Sequence, residues 1–151
     1  MNGVPTSGNP FTLTQVLRKE WGFDGVVVSD HESVRELIPH GFAADAADAA
    51  RQALPAGVDM EMVSRTYATR GPRLVKDGKL AVSAVDEAVR RVLRIKLRAG
   101  IFETPYADPA RERATLLKPE FRAAARDIAA RSMVLLKNDR GVLPLRFARH
   151  G

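Results

Sequence analysis

The chain has 151 residues, room for one ordinary domain, and no cysteine, which removes disulfide frameworks and thiolate metal sites. Hydrophobic residues make up 45% of it, yet no apolar run reaches the roughly 20 residues of a membrane span. Lysine and arginine number 24 against 18 acidic residues, a net charge of +6, while aromatics are only 6% and do not interleave with the basic runs. Arg18, Lys19, Arg90, Arg91, Arg94, Arg98, Arg122 and Arg126 therefore read as solvated helix faces, and neither a nucleic acid nor a membrane is expected as partner. The N-terminus carries no charged-then-apolar leader pattern.

Asn2-Gly3-Val4-Pro5 and Ser7-Gly8-Asn9-Pro10 are dense turn signals, an odd place for a domain to start and a hint of chain upstream. A helix follows, with Thr12 or Thr14 near its cap, Leu13, Val16 and Leu17 on one face, and Gly22 at its end. Trp21 and Phe23 are expected to pack on that helix and the next strand. Gly25-Val26-Val27-Val28 reads as a short strand buried on both faces, as in a parallel sheet, before an abrupt switch to Ser29, Asp30, His31 and Glu32.

A carboxylate at the C-terminal end of a buried parallel strand stands where α/β folds place their chemistry. Asp30 is thus a candidate catalytic group; equally, it could cap the next helix, with His31 and Glu32 as solvated loop residues. Residues 33–38 have room for one or two helical turns before Pro39. The Ala-rich run 43–54 is a strong helix with a small-residue face, ended by Pro55 and Gly57. Residues 58–63 alternate as a strand, so strand, helix and strand over 25–63 form a parallel crossover.

Tyr67, Leu74 and Val75 suggest another helix, interrupted at Gly71-Pro72 and followed by the turn Asp77-Gly78. Ser83 with Asp86 three residues on reads as a capping box, opening a helix with Val85, Val89, Val92, Leu93 and Leu97 along one face until Gly100. Residues 103–118 lose periodicity and read as an extended interdomain linker. Pro119 suits the first turn of a new helix through Phe121, Ala125 and Ile128, and Met133-Val134-Leu135-Leu136 reads as a fresh buried strand.

The class is α/β. Two parallel strands with their helices cannot close a barrel, and one helix plus one strand cannot make a second domain. The expected architecture is a piece across a domain boundary, with both partners truncated.

These residues also carry a resemblance. Asn2-Gly3-Val4-Pro5, Leu17-Arg18 with Trp21-Gly22-Phe23-Asp24-Gly25, and Val28-Ser29-Asp30-His31 are similar to catalytic-domain motifs of glycoside hydrolase family 3. Ala56-Gly57-Val58-Asp59-Met60-Glu61-Met62 and Asp86-Glu87-Ala88-Val89-Arg90-Arg91-Val92-Leu93 follow in order. Gly100-Ile101-Phe102-Glu103-Thr104-Pro105-Tyr106, Ser132-Met133-Val134-Leu135-Leu136-Lys137-Asn138 and Leu143-Pro144-Leu145 complete the set. His31 and Glu36-Leu37-Ile38-Pro39-His40-Gly41 resemble periplasmic bacterial β-glucosidases most.

The resemblance implies the C-terminal part of a (β/α)8-like barrel over residues 1–102, a linker at 103–118, and the first helix and strand of an α/β sandwich domain at 119–151. It implies a retaining β-glucosidase acting on a β-glucoside or oligosaccharide, with no cofactor and no metal. Asp30 matches the family's nucleophile, His31 a neighbour lining the glycone or leaving-group side, and Met62 a methionine that contacts the sugar. Asp59 and Glu61 have no such match and read as strand-end supports. A periplasmic or extracellular location follows from the resemblance alone.

The chemistry suits these residue types, because a retaining glycosidase needs an ionised carboxylate and a protonated carboxyl about 5 Å apart. Glu32 is a poor second carboxyl, since two neighbours on one loop seldom reach opposite faces of a sugar ring. In β-glucosidase-type members the acid/base comes from the second domain, which would lie beyond Gly151, and the Lys-His and Arg sugar-binding motifs would precede Met1. The missing barrel half and sandwich domain are therefore expected partners. Two other classes stay open. One is a phosphoryl-accepting aspartate, although Glu32 stands where such enzymes want an Asp and no acidic pair precedes the strand. The other is a non-catalytic remnant of a glycosidase gene.

Overall fold

The computed structural model describes residues 3–145, in two compact units divided between Pro105 and Tyr106. In the first unit a single 3-10 turn, Thr6–Gly8, leads into a helix of π type at Phe11–Glu20. Strand β1 (Val28–His31), a 3-10 turn at Arg35–Leu37, helix α1 (Ala46–Ala56), strand β2 (Met60–Met62), and helices α2 (Thr66–Lys76) and α3 (Val82–Arg98) follow. β1 and β2 pair in parallel, joined across α1 as the sequence pattern anticipates. The ladder itself begins at Val28, the last of the three valines, so Val26 and Val27 form the approach and the polar residues after Val28 are the strand.

The local reasons are legible. Asp45 caps α1 by accepting the Ala47 and Asp48 N–H groups at 2.8 and 2.9 Å. Ala49 and Ala53 are fully buried on its small-residue face, which lets Leu13, Val34, Leu37 and Val58 close around them, while Ala50, also fully buried, belongs to a second core cluster with Leu54, Leu74, Leu80 and Ala88. Pro55 lies inside the last turn rather than ending the helix, since it removes one N–H only and Gly57 still donates to Ala53 and Leu54. Gly57 then reverses the chain at φ +124°, with the Leu13 Cβ so near that any side chain there would press on it.

Several expectations are corrected. Trp21 is 74% exposed: Trp21 and Phe23 donate to the Val16 and Leu17 carbonyls, and these wider turns carry the following side chains off the 3.6-residue stripe. Phe23 instead lies under the Arg18 guanidinium, 5.7 Å from its ring centre. α2 runs unbroken through Gly71-Pro72, with Leu74 buried against the second core cluster. α3 starts at Val82 on an Ala81 cap, so Ser83 is inside the helix and caps nothing; the Lys79 and Leu80 N–H groups turn back onto the Leu74 carbonyl and set the start earlier.

The second unit, taken alone, holds α4 (Pro109–Thr115) and α5 (Pro119–Ser132). α4 falls within the expected linker, nucleated by Asp108 accepting the Ala110 N–H and by Pro109 in the first turn. α5 opens at Pro119 as anticipated. Met133-Val134-Leu135-Leu136 is not a strand and not buried: Leu136 is 91% exposed. A strand needs a neighbour for its N–H and C=O groups, and the described residues of this unit supply none. The residues after Leu145 lie outside the described residues.

A buried carboxylate ties the first unit together. The Asp59 side chain is 1% exposed and forms ion pairs with Arg18 at 2.6 Å and Arg91 at 2.7 Å. Its Oδ2 also accepts the Val27 N–H at 2.9 Å. Arg18 and Arg91 are thus not solvated helix faces. Nearby, Arg98 grips Asp24 through two bonds of 3.1 and 2.6 Å, and Arg94 donates to the Asp24 carbonyl.

Two outcomes follow from these contacts. Asp59→Ala should lower unfolding free energy by about 3 kcal/mol, the cost of leaving buried cations unpaired, read as a fall in the urea midpoint. The Arg98 grip holds Asp24 below the usual carboxylate range, and the Arg98 hydrogen bond is its main cause. The resulting stabilisation is complete above the unfolded carboxyl's titration and is lost as pH falls below about 4. Asp24→Asn should flatten that acid limb in urea melts taken across the window.

Candidate active site

β1 and β2 run in parallel, so their C-terminal ends lie together, and the register sets His31 against Met62. Asp30 precedes His31 on β1; Met62 closes β2. The three side chains singled out from the sequence are therefore gathered at one end of the strand pair. All three are exposed, Met62 by 46%.

The backbone around them is pinned from below. Val27 offers its carbonyl to the Asp59 and Met60 N–H groups at 2.9 and 3.2 Å, and Glu32 donates to the Met62 carbonyl at 3.0 Å. Glu32 then takes φ +54°, an uncommon conformation for a residue with a side chain, and the chain drops into the turn anchored by Val34 and Leu37, both fully buried. On the other strand, Val63 and Arg65 also have positive φ, so the chain leaves each strand abruptly.

The Asp30 carboxylate accepts the His31 N–H through Oδ1 at 2.7 Å, a short bond that fixes its orientation. No other described residue bonds to that carboxylate. Its neighbours have different duties. Glu32 reaches Arg35 at 3.4 Å. Glu61 accepts the Tyr67 N–H at 2.6 Å and the Thr66 hydroxyl, which makes it the cap of α2. Tyr67 donates to the Val58 carbonyl at 3.0 Å, and burial, with the Glu61 and Asp59 charges, pushes its hydroxyl pKa far up, so it stays a donor.

Space near Asp30 is open. A shallow depression of about 460 Å³ lies beside the strand end, between Glu32, Arg35, Glu36, Ile38 and Pro39. A deeper apolar cleft of about 610 Å³ separates α1, α2 and α3, lined by Leu54, Val75, Leu80, Val85 and Val89 among others. Asp30, His31 and Met62 do not line it, so it is a packing face of the helices and stands apart from the carboxylate. Among the described residues no three His, Cys, Asp or Glu side chains gather as a metal cluster. No helix among them is long and apolar enough to cross a membrane.

Sequence reasoning missed Arg18, Arg91 and Ser29. Both arginines sit in basic runs that look solvated, and the usable signal was Asp59, a lone acid just inside an apolar strand approach. Ser29 stood in the sequence only as a member of the Val28-Ser29-Asp30-His31 motif, with no role attached to it.

Comparison with known proteins identifies the family. The model of the glycosyl hydrolase family 3 N-terminal domain matches residues 1–95. A periplasmic β-glucosidase of Salmonella typhimurium is 44% identical over 97% of this chain and 20% of its own length. A β-glucosidase of Rhizobium radiobacter is 43% identical over 96% of this chain and 16% of its own. The crystal structure of a β-glucosidase from Listeria innocua superposes with a TM-score of 0.81 at 40% identity, over 95% of this chain and 20% of that one. The chain thus spans about a fifth of the length of these relatives. With the family model over residues 1–95 and alignments along nearly all its length, the chain belongs to glycoside hydrolase family 3.

Proposed function

We propose that this chain carries the nucleophile of a retaining β-glucosidase and is one part of a complete site. The observation that carries the reading is the Asp30 carboxylate: exposed at the C-terminal end of a parallel strand pair, oriented by the His31 N–H, and one residue before the His31–Met62 pair. Asp30 attacks the anomeric carbon of a β-glucoside from the face opposite the leaving group and forms an α-linked glycosyl ester. A carboxylic acid on the other side of the ring protonates the departing oxygen. The same group, now a carboxylate, takes a proton from water, which attacks the anomeric carbon and releases Asp30 with net retention. His31 flanks the glycone or leaving-group side, and Met62 contacts the sugar's apolar face.

Glu32 pairs with Arg35 and Glu61 accepts the Tyr67 N–H at the start of α2, which supports seeking the acid/base of this proposal outside the 151 residues, as the family resemblance implies. The barrel comes from outside as well, because a two-stranded sheet cannot close one. Solved relatives support a carbohydrate substrate: one structure of the Listeria innocua enzyme is a complex with glucose. Two proteins of Formosa agariphila, named as a β-xylosidase and a putative β-xylosidase, are each 36% identical, so the sugar's exocyclic carbon is the point to test. A periplasmic or extracellular location is supported by the name of the Salmonella relative alone.

The purified chain should be silent toward an aryl β-glucoside and an aryl β-xyloside. Losing the acid/base and half of the sugar contacts together removes more than either alone. Turnover that co-purifies with the chain and disappears in Asp30→Asn would contradict its being part of a site. Once the chain replaces the matching segment of the Salmonella relative, a 2-deoxy-2-fluoro-β-glucoside should label it on the peptide spanning residues 26–32. Label on Asp59 or Glu61 would assign the nucleophile elsewhere, and label on Glu32 within that peptide would do the same.

A further inference from the structure

Ser29 is the buried polar residue of β1 that the proposed chemistry leaves unused. Its hydroxyl lies between the two strands, accepting the Met62 N–H at 2.8 Å and donating to the Asp30 carbonyl at 2.9 Å. With His31 facing Met62, parallel-ladder geometry offers the Met62 N–H that same Asp30 carbonyl. The Ser29 hydroxyl therefore takes hold of both ends of one ladder link.

The register explains why this link needs support. Val28 faces Met60 and His31 faces Met62, so two residues of β1 stand where β2 has one. That is a bulge, and it breaks the alternation of faces: Ser29 points in, while Asp30 and His31 are both exposed. A bulge presents a catalytic side chain at the price of a weakened ladder. The Asp30 carbonyl and the His31 N–H belong to the same peptide plane, and that N–H is the group which holds the Asp30 Oδ1 at 2.7 Å. Fixing the carbonyl fixes the N–H, and fixing the N–H aims the carboxylate.

We propose that Ser29 is the positioning residue for Asp30, its hydroxyl splinting the bulge between Asp30 and Met62 so that the carboxylate is held in its attacking orientation. The proposal rests on the reading of Asp30 as nucleophile and adds the device that orients it. Ser29 touches neither substrate nor leaving group. Its loss acts through the angle of attack, where a misplacement of about 1 Å costs on the order of 100-fold in rate.

Two measurements test it, each with Ser29→Ala and Ser29→Thr. In this chain, amide exchange is followed by NMR at His31 and Met62, with Ala50 and Ala53 of α1 as reference. Ser29→Ala should speed exchange at the first pair by about tenfold, the effect of losing one net hydrogen bond, and leave the second pair unchanged. Ser29→Thr, which keeps the hydroxyl, should restore protection. No change at Met62, or equal acceleration throughout α1, overturns the proposal, the latter by making Ser29 a general stability residue.

In the Salmonella relative carrying this chain, Ser29→Ala should lower kcat about 100-fold with KM for the aryl glucoside nearly unchanged, and Ser29→Thr should recover most of it. A loss carried by KM, or no recovery with Thr, overturns it. Full activity in Asp30→Asn would instead overturn the nucleophile assignment while the exchange result on Ser29 stood by itself.

Discussion

The Asp59 carboxylate is the constraint on which the first unit depends. It is enclosed, and it joins four parts of the fold through two oxygens: its own strand approach, the Phe11–Glu20 helix through Arg18, α3 through Arg91, and the approach to β1 through the Val27 N–H. Arg18 extends the junction by donating to the Gly25 carbonyl at 3.0 Å. A buried charge of this kind contributes little net stability relative to apolar packing, but it leaves few alternatives for the groups around it. Here it sets the height at which β1 meets β2, and hence where the polar residues after Val28 emerge.

From that fixed start the chemistry at the strand ends follows in three steps. The bulge between Val28 and His31 turns two successive side chains outward. The His31 N–H aims the Asp30 carboxylate. The pairing of His31 with Met62 brings an imidazole and a thioether to the same end. The apolar cleft among α1, α2 and α3 is larger, yet it lacks the Asp30 carboxylate and contains the half-exposed stripe of α3. Volume alone points to that cleft, and the position of a charge at the end of a parallel pair points to Asp30 instead, which is the basis of the proposal.

How much was legible in the sequence depended on whether the signal was local. The alanine helix, the long helix before Gly100 and the helix opening at Pro119 are set by local composition and periodicity, and each is present, although the Ser83 cap expected for the long helix is not. The parallel pairing was legible from breakers on either side of α1. What failed was set by distant partners. Gly71-Pro72 reads as a break, but α2 is held at its start by Glu61 and in its last turn by Leu74, and packing overrides propensity. Met133-Val134-Leu135-Leu136 has the composition of a strand, and composition supplies no neighbour to pair with. At the strand ends, Asp30, His31 and Met62 were singled out from their motifs and the register places them at one end, whereas the contact of the Ser29 hydroxyl with Met62 is visible only once the register is known.

Azide rescue of Asp30→Gly, made in the Salmonella relative carrying this chain, tests the central assignment most directly. Removing a nucleophilic carboxylate leaves room for a small anion on the face from which it attacked. With an activated aryl β-glucoside the assignment predicts a product of inverted configuration, α-glucosyl azide, together with activity that rises with azide concentration. A β-glucosyl azide would mean that Asp30 serves the leaving-group side, and activity undiminished by the substitution would mean that another residue attacks the sugar.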